Sequence, residues 1–371
     1  MDEPPDETVT RPRARQLGLT FGGFDTGPLN AITDVARVVV GHVTLRDDEA
    51  GVHSGVTAIS HPLLTAGTAL PAGLFVGNGY GKLVGATQVM ELGRLETPVL
   101  LTSTLSTFRA ADALVTWVLE NHPGPPTSIN PVVGEINDAW LSSTDPRPVT
   151  PEHVHTALRL ASPGPVPMGN VGGGAGACAL GFKAGIGSAS RVLPGTADGP
   201  AGGSADGTVG VLVQANMGGT LRLAGRLVSP QDLGLRPAGP VTPEAGSCVV
   251  LAAVDFPCVP GDLTRMARRL VFALGRVGAR FSHGSGDYGL AFSVAPGLPA
   301  EPLSPAALDR VFEALMDSVE EAVVDALLAA DTVRTDDGRV AHALPAAAVG
   351  EAVGEAAGTA PDADGGTRRG S

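Results

Sequence analysis

The chain has 371 residues, 43% of them hydrophobic and only 4% aromatic, with 51 Gly and 31 Pro. That length suits one large domain or two ordinary ones, with a core of Val, Leu and Ala packed in close layers rather than of rings. A formal net charge of −13 argues against general nucleic-acid binding, which needs a basic surface.

Three cysteines, Cys178, Cys248 and Cys258, supply no disulfide framework and fit a reducing compartment. No Cys-x-x-Cys or His-Glu-x-x-His spacing marks a metal site. The first residues carry neither a basic n-region nor an apolar h-region, and no apolar run reaches the ~20 residues of a membrane span. The expected location is the cytoplasm, with no membrane or nucleic-acid partner.

Residues 1–16 are charged and carry proline, the composition of a disordered arm. Leu29–Asp34 leads into an expected strand over 35–43, and a second strand follows over 55–61. Leu74–Val76 feeds Gly77-Asn78-Gly79-Tyr80-Gly81-Lys82. That run is too short for Gly-x-x-x-x-Gly-Lys-[Ser/Thr], and Leu83 follows the lysine, so it is read as a glycine-rich turn. Residues 87–93 have helical spacing and 98–103 form an apolar strand. Residues 107–121 are an amphipathic helix through Ala111, Leu114, Val115 and Leu119.

Pro131–Trp140 sets Glu135, Asn137 and Asp138 behind a short apolar strand. This is either a capped turn, with Asn137 or Asp138 as the cap, or a polar cluster at a strand end, where sites form. A short helix is expected over 151–161. Gly169–Gly176 is the densest glycine run, but strand and hairpin follow it over 178–188. A dinucleotide fingerprint would need a helix there and an acidic residue about 20 positions on. The Gly/Ala/Ser/Asp insert at 196–207 is expected to be mobile. Residues 208–215 alternate as a strand and end at Asn216-Met217-Gly218-Gly219, where an amide could donate to an oxyanion or merely satisfy a turn.

Ala245–Asp255 is the stretch around which the rest is organised. Gly246 and Ser247 open a nearly unbroken apolar run, Cys248–Val254, which reads as a strand buried on both faces. Two readings of Ser247 fit these residues. One is an ordinary turn-to-strand junction. The other is a self-processing site, in which Ser247 Oγ attacks the carbonyl of Gly246, a glycine held in a strained geometry. Hydrolysis would then free a serine whose α-amine, with a pKa of roughly 7.7–8, is its own base. Residues 262–277 follow as a strong helix. Phe281–Val294 is a polar, glycine-spaced cluster that runs into another core strand. Ser304-Pro305 caps a long helix to about Ala330, and the tail from about 355 to 371 has a disordered composition. The whole suggests a layered α+β fold with sheets inside and helices outside.

Taken in order, these stretches resemble the DmpA-type aminopeptidase family, the L-aminopeptidase/D-esterases and β-peptidyl aminopeptidases. The resemblance runs from about Leu29 to Ala330. It rests on Asn30-Ala31-Ile32-Thr33-Asp34, Asn78-Gly79-Tyr80-Gly81-Lys82, Pro131–Asp138, Gly169-Asn170-Val171-Gly172, Gly181-Phe182-Lys183, Ala215-Asn216, Gly246-Ser247 and His283-Gly284-Ser285-Gly286-Asp287. It implies one αββα sandwich over 17–350 like that of N-terminal-nucleophile hydrolases. It also implies self-cleavage into 1–246 and 247–371, and a homo-oligomer, commonly a tetramer, of processed units. By carry-over Ser247 is the nucleophile, Ser285 and Asp287 form the polar network beside it, and Asn216 helps build the oxyanion hole. Glu135 holds the free amino group of a small peptide or an amino-acid amide or ester. The family uses Glu or Asp at the position of Asp287, and Asn137 stands where some members carry a tyrosine in the pocket. No cofactor is implied. The alternatives are a related self-processing acyltransferase, which more often has Thr at the cut, and a processed but inactive binding or scaffold protein.

Overall fold

The computed structural model describes residues 11–124, 126–142, 147–195, 206–239, 246–295, 297–299 and 301–358. The strands are β1 (Val39–Asp47), β2 (Val52–Ser60), β3 (Leu70–Gly79), β4 (Leu83–Val84), β5 (Arg94–Leu95) and β6 (Val99–Ser103), then β7 (Val132–Ile136), β8 (Ile186–Leu193), β9 (Gly207–Gln214), β10 (Ser247–Val254) and β11 (Gly286–Ser293). They form a five-stranded sheet, β1-β2-β6-β7-β4, and a six-stranded sheet, β8-β9-β10-β11-β3-β5. Each sheet has one parallel pair, β6–β7 and β10–β11. A parallel pair needs a crossover. The helices α1 (Thr107–Asn121) and α3 (Pro260–Arg276) supply the two crossovers.

Side-chain alternation in β10 shows how the layers stack. Val249, Leu251 and Ala253 meet Leu101 and Val132 of the opposite sheet in the central core. Cys248, Val250, Ala252 and Val254 point the other way, into a second core with Leu263, Leu270 and Leu274 of α3 and Val319 and Val323 of α4 (Pro305–Leu328). The five-stranded sheet is covered likewise: Val56, Ala58, Leu100 and Val133 pack on Leu114 and Val118 of α1 and Val154 and Leu158 of α2 (Pro151–Leu160). The result is the expected α+β sandwich in four layers, α-β-β-α. A strand buried on both faces cannot alternate polar and apolar residues, which is why Cys248–Val254 is apolar throughout. Each Val or Leu fully buried here contributes roughly 1.5–3 kcal/mol relative to an exposed one.

Some boundaries differ from expectation for physical reasons. The first strand begins at Val39, not at 35, because Ile32–Asp34 form a 3-10 turn. The Asp34 carboxylate accepts from the Leu29 and Ala31 N–H groups at 2.9 and 3.1 Å, a local bond that competes with strand pairing. Within the arm expected to be disordered, Ala14–Leu17 make a 3-10 turn against α4. Arg13 and Arg15 there bond to Asp325 and Glu321, acidic partners more than 300 positions away in sequence. At the other end Ala346–Gly358 is helical. Residues 196–205, most of the expected mobile insert, lie outside the described residues, as does the tail beyond 358. Among the described residues no helix is long and apolar enough to cross a membrane.

Candidate active site

Ser247 opens β10 with the parity of Val249 and Leu251, so it belongs to the face towards the other sheet. The parallel register with β11 sets Gly286 opposite Ser247 and Asp287 opposite Cys248. On the far side of β11, Gly79 pairs with Gly286 and Asn78 with Asp287. Across the sandwich β7 ends at Glu135 and Ile136. Four strand ends from two sheets thus converge on one buried point.

The backbones meet here without side chains between them. A Cβ on Gly286 would stand 2.6 Å from Gly81 Cα. One on Gly81 would stand 2.6 Å from Glu135 Oε1 and 3.2 Å from Ser247 Oγ. Gly81 therefore keeps open the space between carboxylate and hydroxyl. The Tyr288 hydroxyl holds this turn in place by donating to Gly81 O at 2.7 Å. Gly246 is not among the glycines with positive φ, so it is not held in the left-handed region. A Cβ on Gly246 would lie 3.2 Å from Ser285 Oγ, a tight contact that a small shift of the hydroxyl would have to relieve.

One N–H serves both halves of the Gly246–Ser247 unit. The Gly286 amide lies 3.2 Å from Ser247 Oγ and 3.3 Å from the Gly246 carbonyl oxygen. The Ser247 N–H donates to Asn216 O at 2.6 Å. Beside them Ser285 Oγ donates to Asp287 Oδ1 at 2.8 Å, while the buried Asp287 Oδ2 has no partner. Burial pushes the Asp287 carboxyl up to about 6, against the bond from Ser285, which lowers it. A pKa in that range suits proton transfer near neutrality.

Asn216 is clamped by backbone: its Oδ1 accepts from Cys178 N at 3.0 Å and its Nδ2 donates to Asn137 O at 3.1 Å. A carboxamide has two N–H bonds, so one is left for an oxyanion. The Asn137 side chain turns back to cap Ala139 N at 3.1 Å, and only its backbone carbonyl supports the site. Glu135 Oε1 accepts from Lys82 N at 2.9 Å; its Oε2 is buried without a partner, and burial raises its pKa. The Lys82 ammonium donates to Thr104 Oγ1 at 2.8 Å, and both Lys82 and Thr104 pull the Glu135 pKa down against the larger effect of burial. The structure thus gathers Ser247, Ser285, Asp287, Asn216 and Glu135, while the Asn137 side chain stands aside. Asp138 accepts from Ser54 Oγ at 2.7 Å and is pushed to about 7 by burial. Sequence reasoning missed Tyr288 and Thr104, which carry no signal of their own: Tyr288 reads as a core position in a strand and Thr104 as a loop residue. Among the described residues no group of three His, Cys, Asp or Glu is placed to hold a metal ion.

The sequence model of peptidase family S58 matches residues 30–341. The beta-peptidyl aminopeptidase BapA of Sphingosinicella microcystinivorans is 37% identical over 367 residues, covering 90% of each chain. The L-aminopeptidase D-Ala-esterase/amidase of Ochrobactrum anthropi, described as a prototype for the serine aminopeptidases and a new variant of the Ntn hydrolase fold, is 37% identical; it superposes with a TM-score of 0.82, covering 94% of this chain and 99% of that one. A beta-aminopeptidase of Burkholderia sp. superposes with a TM-score of 0.82 at 36% identity, covering 93% of this chain and 99% of its own. Sequence and fold agree along nearly the whole length, and the chain belongs to peptidase family S58: it is a hydrolase of the aminopeptidase class with an N-terminal-nucleophile fold.

Proposed function

We propose that the chain cuts itself between Gly246 and Ser247 and that the freed Ser247 then removes N-terminal residues from small peptides, amides or esters. The observation that carries this reading is the shared Gly286 N–H, which holds the attacking hydroxyl and the carbonyl to be attacked within 3.2 and 3.3 Å of one donor. In the precursor, Ser247 Oγ adds to the Gly246 carbonyl carbon and the oxyanion forms where Gly286 N–H already points. The C–N bond breaks, its nitrogen takes up the proton lost from Oγ and leaves as the Ser247 α-amine, and water hydrolyses the ester to the Gly246 carboxylate and the free Ser247 hydroxyl. The bond from that nitrogen to Asn216 O favours an amine that stays in place.

In turnover the α-amine, at roughly pKa 7.7–8, or the Ser285–Asp287 pair takes the proton from Oγ. Oγ attacks the substrate carbonyl, and Asn216 Nδ2–H and Gly286 N–H receive the oxyanion. The proton passes to the leaving group, the acyl-enzyme remains on Ser247, and water releases the amino acid. Glu135, whose Oε1 borders the gap left by Gly81 and whose Oε2 has no partner, takes the substrate ammonium as a charge-assisted hydrogen bond. The relatives' names point to β-aminoacyl, L-aminoacyl and D-alanyl substrates for the first screen. Our reading also holds that the working enzyme is a homo-oligomer of processed units, a tetramer, in the cytoplasm.

Intact mass, a denaturing gel and N-terminal sequencing test it. The wild-type chain should give two fragments, the smaller beginning Ser247-Cys248-Val249, and should turn over amino-acid p-nitroanilides. Ser247→Ala should stay whole and lose at least ~10⁴-fold in kcat. A wild-type chain that remains whole and inert to L-, D- and β-aminoacyl p-nitroanilides would overturn the reading.

A further inference from the structure

We propose that Lys183 is a positioning residue of this reaction: its ammonium polarises the Ala177–Cys178 peptide unit and, through it, the Asn216 amide that faces the oxyanion. The inference rests on the reading of Asn216 as an oxyanion donor.

Lys183 lies on one arm of a short hairpin, paired with Cys178, and its side chain is wholly buried. An ammonium taken out of water carries a large desolvation cost unless its protons are met. Here Nζ donates to three backbone carbonyls, Ala184 O at 2.5 Å, Ala177 O at 2.9 Å and Gly174 O at 3.4 Å. Burial lowers its pKa to about 8, which leaves it mainly charged at neutral pH. The carboxylate whose field reaches it, Asp331, is not one of these three partners.

The second of those carbonyls is the informative one. Ala177 C=O and Cys178 N–H belong to the same peptide unit. The carbonyl accepts from the ammonium at 2.9 Å, and the N–H donates to Asn216 Oδ1 at 3.0 Å. A cation on an amide oxygen draws electron density from the nitrogen and makes its N–H a stronger donor. The Asn216 carboxamide repeats the step: a stronger donor on Oδ1 makes its Nδ2–H groups stronger. One of these is fixed to Asn137 O at 3.1 Å, and the other remains for the oxyanion. Chained hydrogen bonds in a low-dielectric interior strengthen one another in this way. The relay is rigid, because Ala184 N bonds Ala177 O, Met217 N bonds Cys178 O and Leu180 N bonds Met217 O at 3.1, 3.1 and 2.8 Å. A buried charge with no carboxylate on its hydrogen bonds, placed two amide groups behind an oxyanion donor, acts on charge that develops only in the transition state.

The test uses the full-length processed enzyme, with kcat and KM for an amino-acid p-nitroanilide and Ki for the matching aminoacyl boronate, which forms an anionic tetrahedral adduct on Ser247. Removing a whole oxyanion donor costs on the order of 100–1,000-fold, and loss of its polarisation should cost less. K183M should therefore lower kcat about tenfold and weaken the boronate by the same factor, with KM unchanged. K183Q keeps N–H donors for the carbonyls and loses only the charge. C178P deletes the N–H in the middle of the relay and leaves Lys183 in place. These two carry the test if K183M does not fold, and both should show the same paired loss. On an N216A background, K183M should add less than about twofold, because the two residues act through one bond. A folded K183M or K183Q with wild-type kcat and Ki overturns the relay. So does a loss that adds in full to that of N216A, the mark of a merely structural lysine. If N216A itself keeps wild-type kcat, it is the oxyanion reading that fails.

Discussion

The six-stranded sheet buries carboxylates at both of its ends and gives them different partners. Arg191 on β8 pairs with Val209, which pairs with Val254, so it marks the end of the sheet away from Ser247. There Glu321, wholly buried, accepts from Arg15 at 2.9 Å, Arg191 at 2.7 Å and Asn30 at 2.6 Å, and Asp317 takes Arg276 at 2.9 Å. Asp317 Oδ2 and Arg191 Nε are left without a hydrogen bond there, yet each group is tied to an opposite charge; at the Ser247 end Asp287 Oδ2 and Glu135 Oε2 are equally buried and unpartnered, and the hydrogen bonds these two carboxylates accept come from the neutral Ser285 hydroxyl and the Lys82 backbone N–H. Charges bound to charges hold the molecule together; carboxylates that accept only from neutral donors are ready for a proton or a substrate cation. The arginine end is a fastener between the N-terminal arm, β8 and α4. The serine end keeps valences unfilled, at a cost in stability that function requires.

If that contrast is right, removing a charge should have opposite consequences at the two ends. The largest expected effect is at the fastener. Glu321→Gln leaves Arg191 and Arg15 without their carboxylate and should cost about 3–5 kcal/mol, as breaking a buried pair from one side does. Urea melts would show it, and turnover per folded molecule should be unchanged. A loss of turnover without a loss of stability would break the comparison. Next comes Glu135→Gln. Loss of a charged hydrogen bond of roughly 1.5–3 kcal/mol should lower kcat/KM about 10–100-fold for substrates with a free amine. N-acetylated analogues, poor substrates to begin with, should lose nothing further. Equal losses for both would deny Glu135 its ammonium.

The sequence made the local parts of this contrast legible and hid the distant ones. The apolar run after Ser247 announces a doubly buried strand, and the periodicity of 107–121 places α1 to the residue. The resemblance brought Ser247, Ser285, Asp287, Asn216 and Glu135 onto one list, and the fold puts them at one point. Three things could not be read. The arginines at 13 and 15 look like a solvated arm because their partners stand on α4. Asn137 earned notice for its side chain, yet the backbone carbonyl is what meets Asn216, and a carbonyl has no sequence signature. Gly246 draws notice for its own backbone, while its nearness to Ser285 Oγ comes from the parallel register of β10 and β11, which the sequence does not show.

Asp287 sharpens the comparison: burial raises it as burial raises Asp325 at the other end, also to about 6, but Asp325 is answered by Arg13 and Asp287 by no charge. Burial raises its pKa from 3.8 to about 6. The folded state therefore holds the proton more tightly than the unfolded one. The stability this contributes is full below about pH 4 and is lost as pH rises through about 6. Asp287→Asn keeps the neutral form at every pH. Measured on a Ser247→Ala background, so that both chains stay whole, it should be more stable at pH 7 by about 1–2 kcal/mol, with the advantage vanishing below about pH 4. In the otherwise native enzyme the same change should abolish the acid limb of kcat/KM near pH 6 along with most of the turnover. A variant less stable at pH 7 would place Asp287 with the fasteners.

The smallest effect tests whether the fastener end is energetically separate from the site. Ser304 Oγ accepts from Ala307 N at 3.1 Å and caps α4, with Pro305 at the first helical position. Ser304→Ala should cost about 1 kcal/mol, read as a small fall in Tm. The cap lies at the start of the helix that carries Asp317, Glu321 and Asp325, so the loss should loosen the arginine end first. Native-state hydrogen exchange should show α4 and the arm at 11–17 opening more often, while the amides of β10 and β11 keep their protection. Turnover and the pH profile should not move, because α4 packs on the Cys248 and Val250 face of β10, opposite the face whose parity Ser247 shares. If the cap variant changed kcat, the two ends would be coupled through β8–β11, and the unpartnered carboxylates would owe their open state to tension from the far end rather than to the glycines that surround them.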